Sequence, residues 1–170
     1  VMPKDTVGQL LRHELSPVEL KTWAAATLSA PGYAQYAEHI AEDLRDAIAD
    51  RDSEARATAI FLIGDALFSA GRYRDAAKQT SDASGIFLRH ANMSKFIFSE
   101  AKGIDSIRSS GLFKRAYQRL AKARETLRHG HPSDIDQLQA KLDLQEVLLL
   151  RERFSRANFL HRLGFPGMTN

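Results

Sequence analysis

The residues that could do chemistry in this 170-residue chain are few and scattered. Of six histidines, only His129 and His131 lie close together, flanking Gly130. Two imidazoles across a turn could ligate a metal, yet a zinc site needs three or four ligands and no neighbouring cluster supplies the rest. The pair reads instead as a basic loop at a helix C-terminus, where cations meet the negative end of the helix dipole. His161 sits among Phe159, Leu160 and Leu163 and reads as a packed helical residue rather than a base. The chain has no cysteine, which excludes disulfides, thiol nucleophiles and thiolate metal sites together. It also lacks the serine elbow G-x-S-x-G, the H-E-x-x-H zinc motif and a phosphate loop ending in G-K-[ST]. Close acids such as Glu42-Asp43 and the Asp50, Asp52 pair read as a solvated face. No catalytic set, metal site or cofactor site is expected, and the expectation is a protein that is not an enzyme.

Charge is more informative in its distribution than in its total. Residues 1–70 carry 6 basic and 11 acidic side chains, a net of −5, whereas residues 71–170 carry 18 and 10, a net of +8. The segment from Leu112 to Leu127 concentrates Lys114, Arg115, Arg119, Lys122 and Arg124 against a single acid, Glu125. This basic patch could draw an acidic partner or a phosphate backbone, or simply keep an outer helix face soluble. Aromatic rings for stacking bases are limited there to Phe113 and Tyr117, so nucleic acid is not the expected partner.

The elements that carry these residues are helical. Prolines stand at 3, 17, 31, 132 and 166, which leaves a long stretch between Pro31 and Pro132 free of them. A proline inside a helix costs about 3 kcal/mol, so the gap favours continuous helix. Ser16-Pro17-Val18-Glu19, Asp52-Ser53-Glu54 and Pro132-Ser133-Asp134 have the form of helix starts, and Gly71, Gly111 and Gly130 that of stops. Helices are expected near 5–14, 17–29, 33–50, 54–70, 73–90, 93–109, 112–129, 133–152 and 154–163. Joins of one to four residues force consecutive helices into antiparallel hairpins, and the fold class is all-α. The apolar runs, Val147 to Leu150 among them, are far below the roughly 18 residues of a membrane span. The N-terminus, with Lys4, Asp5 and Arg12, has no apolar signal core, so a cytoplasmic protein with no membrane partner is expected. With Val1 rather than a methionine at the start, a trimmed chain or a piece of a longer one is an expectation.

An internal repeat runs along the chain from Pro31 onward. Pro31-Gly32-Tyr33-Ala34-Gln35-Tyr36, Gly71-Arg72-Tyr73-Arg74-Asp75-Ala76, Gly111-Leu112-Phe113-Lys114-Arg115-Ala116 and Glu152-Arg153-Phe154-Ser155-Arg156-Ala157 align. Their aromatic residues are spaced by 40, 40 and 41 positions, and in the last three copies an alanine follows three residues later. The aromatic would plug the turn of a hairpin, and the alanine would let two helix backbones approach. Ala83 and Ala123, seven residues beyond Ala76 and Ala116, extend the same seam.

In these residues the chain resembles the tetratricopeptide repeat family. The stretch from Ile60 to Ala83 carries the resemblance: Gly64 stands at the small position where the first helix presses on the second, Gly71 and Tyr73 at the turn, and Ala76 and Ala83 at the second-helix alanines. The next copy keeps Gly111, Phe113, Ala116 and Ala123 but has Ile104 where Gly64 stood; the third keeps Phe154 and Ala157. The period of about 40 exceeds the family's usual 34, as in its long-helix variants. The resemblance implies antiparallel hairpins stacked as a right-handed superhelix, an α-α solenoid. Residues 1–51 would form divergent N-terminal helices or a capping hairpin, 52–165 repeats at about 54–91, 93–130 and 133–164, and 166–170 a flexible tail.

The family grips a peptide or helix in a concave groove lined by the first helix of each hairpin. The matching positions here include Phe61, Asp65 and Phe68, then Phe98, Asp105 and Arg108, then Leu142, Glu146 and Leu149. Apolar rings and acids together suit a protein or peptide partner with apolar anchors and a basic group. The same acids disfavour the carboxylate clamp of the chaperone-binding members. The run Val147-Leu148-Leu149-Leu150 is too apolar for one helix stripe and implies burial on several sides or self-association into a homo-oligomer. A second reading is the sensor half of a bacterial transcriptional regulator, because Thr6 to Leu20 faintly resembles the opening of a helix-turn-helix. Its recognition helix, around Ala30 to His39, would have almost no basic residue with which to read a groove.

Overall fold

The computed structural model describes residues 48–164 together with Glu42, Arg45 and Asp46. The expectations for residues 1–41, including the first aligned copy at Tyr33 and the helix-turn-helix resemblance, lie outside the described residues. Between residues 54 and 164 the described chain forms five α-helices: α1 (Glu54–Ser69), α2 (Tyr73–Arg89), α3 (Met93–Ser109), α4 (Phe113–Gly130) and α5 (Ile135–Arg162). No strand occurs among the described residues, so the all-α class holds for them.

The starts follow from local chemistry. Ser53 caps α1, its hydroxyl accepting from the Arg56 N–H at 3.2 Å, and Asn92 caps α3 in the same way from Lys95 N–H at 3.1 Å. The stops share one device. Gly71, Ala91 and Gly111 adopt left-handed backbone, with φ of +78°, +54° and +81°. At each, the following N–H reaches back five residues, as Arg72 does to the Leu67 carbonyl at 2.9 Å and Asn92 to that of Phe87 at 2.9 Å. His131 is the fourth left-handed residue, with φ of +47°. These positions recur every twenty residues, so the 40-residue repeat is built of two helix-plus-turn units. Gly130, expected as a stop, is the last residue of α4, and His131 makes the turn instead.

Three-residue joins between Ser69 and Tyr73, Arg89 and Met93, and Ser109 and Phe113 leave each helix no choice but to run back along its predecessor. Each helix packs on the next, and α3 additionally meets both α1 and α5. The odd-numbered helices are therefore neighbours on one side of the array. Between α1 and α2 the seam is made of small residues: Ala76 and Ala83 are fully buried, and a Cβ on Gly64 would come within 2.9 Å of Thr80 Cγ2. Only glycine permits that approach without a shift. Ala116 and Ala123 are equally buried where α4 lies on its neighbours. Ile86, Phe87, Ile97, Ile104, Leu120 and Leu127 fill the core around the seam, each contributing about 1.5–3 kcal/mol by leaving water.

The third hairpin is absent. Residues 135–162 form one continuous helix rather than two, and Phe154 plugs no turn but lies on its surface, 68% exposed. Leu150-Arg151-Glu152-Arg153 contains neither glycine nor proline and consists of good helix formers, so nothing interrupts the ladder. No helix among the described residues is long and apolar enough to cross a membrane.

Candidate functional site

The side shared by α1, α3 and α5 carries a row of contacts that crosses all three helices. Phe61 of α1 and Phe98 of α3 meet with ring centroids 5.2 Å apart and planes tilted by 46°. Lys141 of α5 lays its ammonium 5.4 Å from the centre of the same Phe98 ring. Towards the C-terminal end of α1, Lys102 of α3 bonds Asp65 at 2.8 Å while sitting 4.3 Å over the ring of Phe68. Phe68 in turn packs edge-on against Tyr73 at 5.4 Å, where α2 begins. At the end of α3, Arg108 bonds both Asp105 beside it and Glu152 of α5, the latter at 2.5 Å.

Three helices present these groups on one side because their spacing is helical. Phe61, Asp65 and Phe68 are four and three residues apart, as are Phe98, Lys102 and Asp105, so each set forms one stripe. Phe98 stays 37% exposed and Phe61 and Phe68 are half-buried, so apolar ring surface remains open between charged heads. Each cation held over a ring contributes on the order of 0.5–1 kcal/mol at such partly exposed positions.

The electrostatics differ from those expected of free acids. Asp65 is paired with Lys102, and Asp105 with Arg108. Burial alone would lower the Arg108 pKa, but hydrogen bonds and charge from Asp105 and Glu152 outweigh it and hold it above the ordinary guanidinium value. Glu146 turns to α4, where Arg124 bonds it at 2.6 Å and Asp143 at 2.5 Å. Burial opposes the charge on Arg124 too, and the two carboxylates again outweigh it and raise its pKa. Asp65, Asp105 and Glu146 thus each already face a cation of this chain.

Of the nine groove positions read from sequence, Phe61, Asp65, Phe68, Phe98, Asp105 and Arg108 come together on this side. Leu142 and Leu149 do not: both are fully buried, belong to the core and cannot line a groove. The register fails there because α5 turns a different stripe inward, Leu138, Leu142, Gln145 and Leu149. The basic patch is also reduced. Lys114, Arg115 and Lys122 are exposed on α4, Arg124 is committed to two acids, and the Arg119 side chain is only 14% exposed. Arg119 bonds Glu100 at 2.5 Å and donates to the Ala77 carbonyl at 3.0 Å and the Thr80 hydroxyl at 3.3 Å. It joins α4 to α3 and α2, a structural task incompatible with a surface patch.

Lys102, Lys141 and Glu152 were missed by the sequence reading. A signal for Lys102 existed: it falls four residues after Phe98 on the same stripe, opposite the acid at 65. His129 Nε2 lies 3.9 Å from Glu125 Oε1, both heavily exposed, and no group of three or more acids and histidines that could hold a metal occurs among the described residues. Comparison with protein-family models, curated proteins and solved structures finds no match.

Proposed function

We propose that this chain is a non-enzymatic protein-interaction module, a tetratricopeptide-like right-handed superhelical stack whose odd-helix side takes a peptide or helical segment of a partner. The observation that carries this reading is the Phe61–Phe98–Lys141 row, which offers half-open aromatic surface across three consecutive odd helices. The recurring turn at Gly71 and Gly111 and the buried alanines at 76, 83, 116 and 123 support the repeat architecture. A ligand with apolar anchors one helical turn apart would lay them against Phe61 and Phe98 and place polar groups against the flanking ion pairs. A basic anchor would act by replacing Lys102 beside Asp65 or Arg108 beside Asp105. The regulator reading rests on residues outside those described, and no observation on α1–α5 favours it.

The reading is tested by selecting binders from a displayed library of random peptides against the full chain and mapping the best of them by NMR. Perturbed resonances centred on Phe61, Phe98 and Lys141 support the groove. Selected peptides that perturb only the α2 and α4 surfaces would overturn it.

A further inference from the structure

We infer that two copies of this chain associate through α5, packed antiparallel about a two-fold axis near Leu149. The inference concerns a different side of α5 from Lys141 and Glu152 and does not rest on the groove. Among the five helices, α3 is buried on both flanks, by α2 and α4, whereas α5 buries only the narrow stripe of Leu138, Leu142, Gln145 and Leu149. On nearly the opposite side of α5, Leu144 and Val147 are 57% and 58% exposed, and Leu150 and Phe154 are exposed as well. These four are spaced by three, three and four residues and form a second apolar stripe. A helix apolar on two faces is built to be covered on both, and among the described residues α3 and α4 cover only the inner one.

The charge pattern along α5 selects the occupant. Beside this stripe the N-terminal half of α5 carries the exposed acids Asp136 and Asp143, the latter shared with Arg124 of α4. The C-terminal half carries the exposed bases Arg151 and Arg162 there, while Glu152 turns to Arg108 and Arg156 to the Phe113 ring. A helix with one acidic and one basic half is complementary to its own copy only when the two run in opposite directions. With the axis at residue 149, Leu144 meets Phe154 of the second copy and the exposed Asp136 meets its Arg162, while Val147 covers the stem of Arg151. A parallel pair would instead set acid against acid and base against base. At 1.5 Å per residue α5 is about 42 Å long, so the seam can extend past the α3–α4 turn to the last two turns of the helix.

The test uses the intact chain, whose lack of cysteine makes engineered thiols unambiguous. Light scattering at tens of micromolar should give the mass of two 19.0 kDa chains, and Leu144→Glu should give one with unchanged helicity. Under oxidation, a mixture of Leu144→Cys and Phe154→Cys chains should cross-link to each other. Leu144→Cys alone should not cross-link, because its two copies stand about 15 Å apart along the axis. A monomeric wild-type chain overturns the inference, as does a dimer that Leu144→Glu leaves intact or a Leu144→Cys self-cross-link.

Discussion

The guanidinium of Arg119 occupies the space that a Cβ on Gly103 would fill. An arginine on α4 thereby crosses α3 at its one notch and reaches the α2 backbone, with Glu100 compensating its charge. Gly103→Ala should displace that guanidinium and destabilise the fold by about 1–3 kcal/mol, measured by urea denaturation.

Removing the arginine should cost more than crowding it. Arg119→Met leaves the Glu100 carboxylate buried without its cation, and a loss of about 3–5 kcal/mol is expected. The double variant Arg119→Met/Glu100→Met should recover most of that loss, because no uncompensated charge remains. Denaturation midpoints of the two variants, compared with the parent, check both signs.

The turns make a prediction of opposite directions. Gly71→Ala puts a side chain at φ +78° and should destabilise by about 1 kcal/mol, although nothing lies near enough to clash. Ala91 already bears that strain at φ +54°, so Ala91→Gly should stabilise by a similar amount. Thermal unfolding of the pair should show shifts of opposite sign.

These turns also show how much of the fold was legible. Helices α1 to α4 could be placed within a residue or so because Gly71 and Gly111 punctuate them and Tyr73 and Phe113 follow at the same offset. The break expected before Phe154 copied the aromatic and the alanine of that pattern but had Glu152 where the glycine should stand. An aromatic–alanine pair is compatible with any helix; the left-handed residue is what ends one. The candidate site was legible as two stripes, on α1 and α3, since four- and three-residue spacing fixes a helix face. It was illegible on α5, where leucines occupy two faces and spacing alone cannot say which is inward. Nor could spacing show that Lys102 neutralises Asp65, a pairing made between helices.

That pairing bears on specificity. Lys102→Gln removes the cation beside Asp65 and over Phe68 while leaving the helix contacts in place. The change should cost no more than about 1 kcal/mol of stability. Peptides with a lysine or arginine beside their apolar anchors should then bind about tenfold more tightly, a gain of about 1.4 kcal/mol, measured by calorimetry against the parent.

The most direct measurement is the affinity of a library-selected peptide for Phe98→Glu beside Lys114→Glu. Phe98 joins the α1 ring to the α5 lysine on the proposed binding side, whereas Lys114 is exposed on α4. With helicity unchanged in both, Phe98→Glu should weaken binding at least about tenfold, or about 1.4 kcal/mol, and Lys114→Glu should leave it within a factor of about two. Binding that ignores Phe98→Glu and falls with Lys114→Glu would contradict the account.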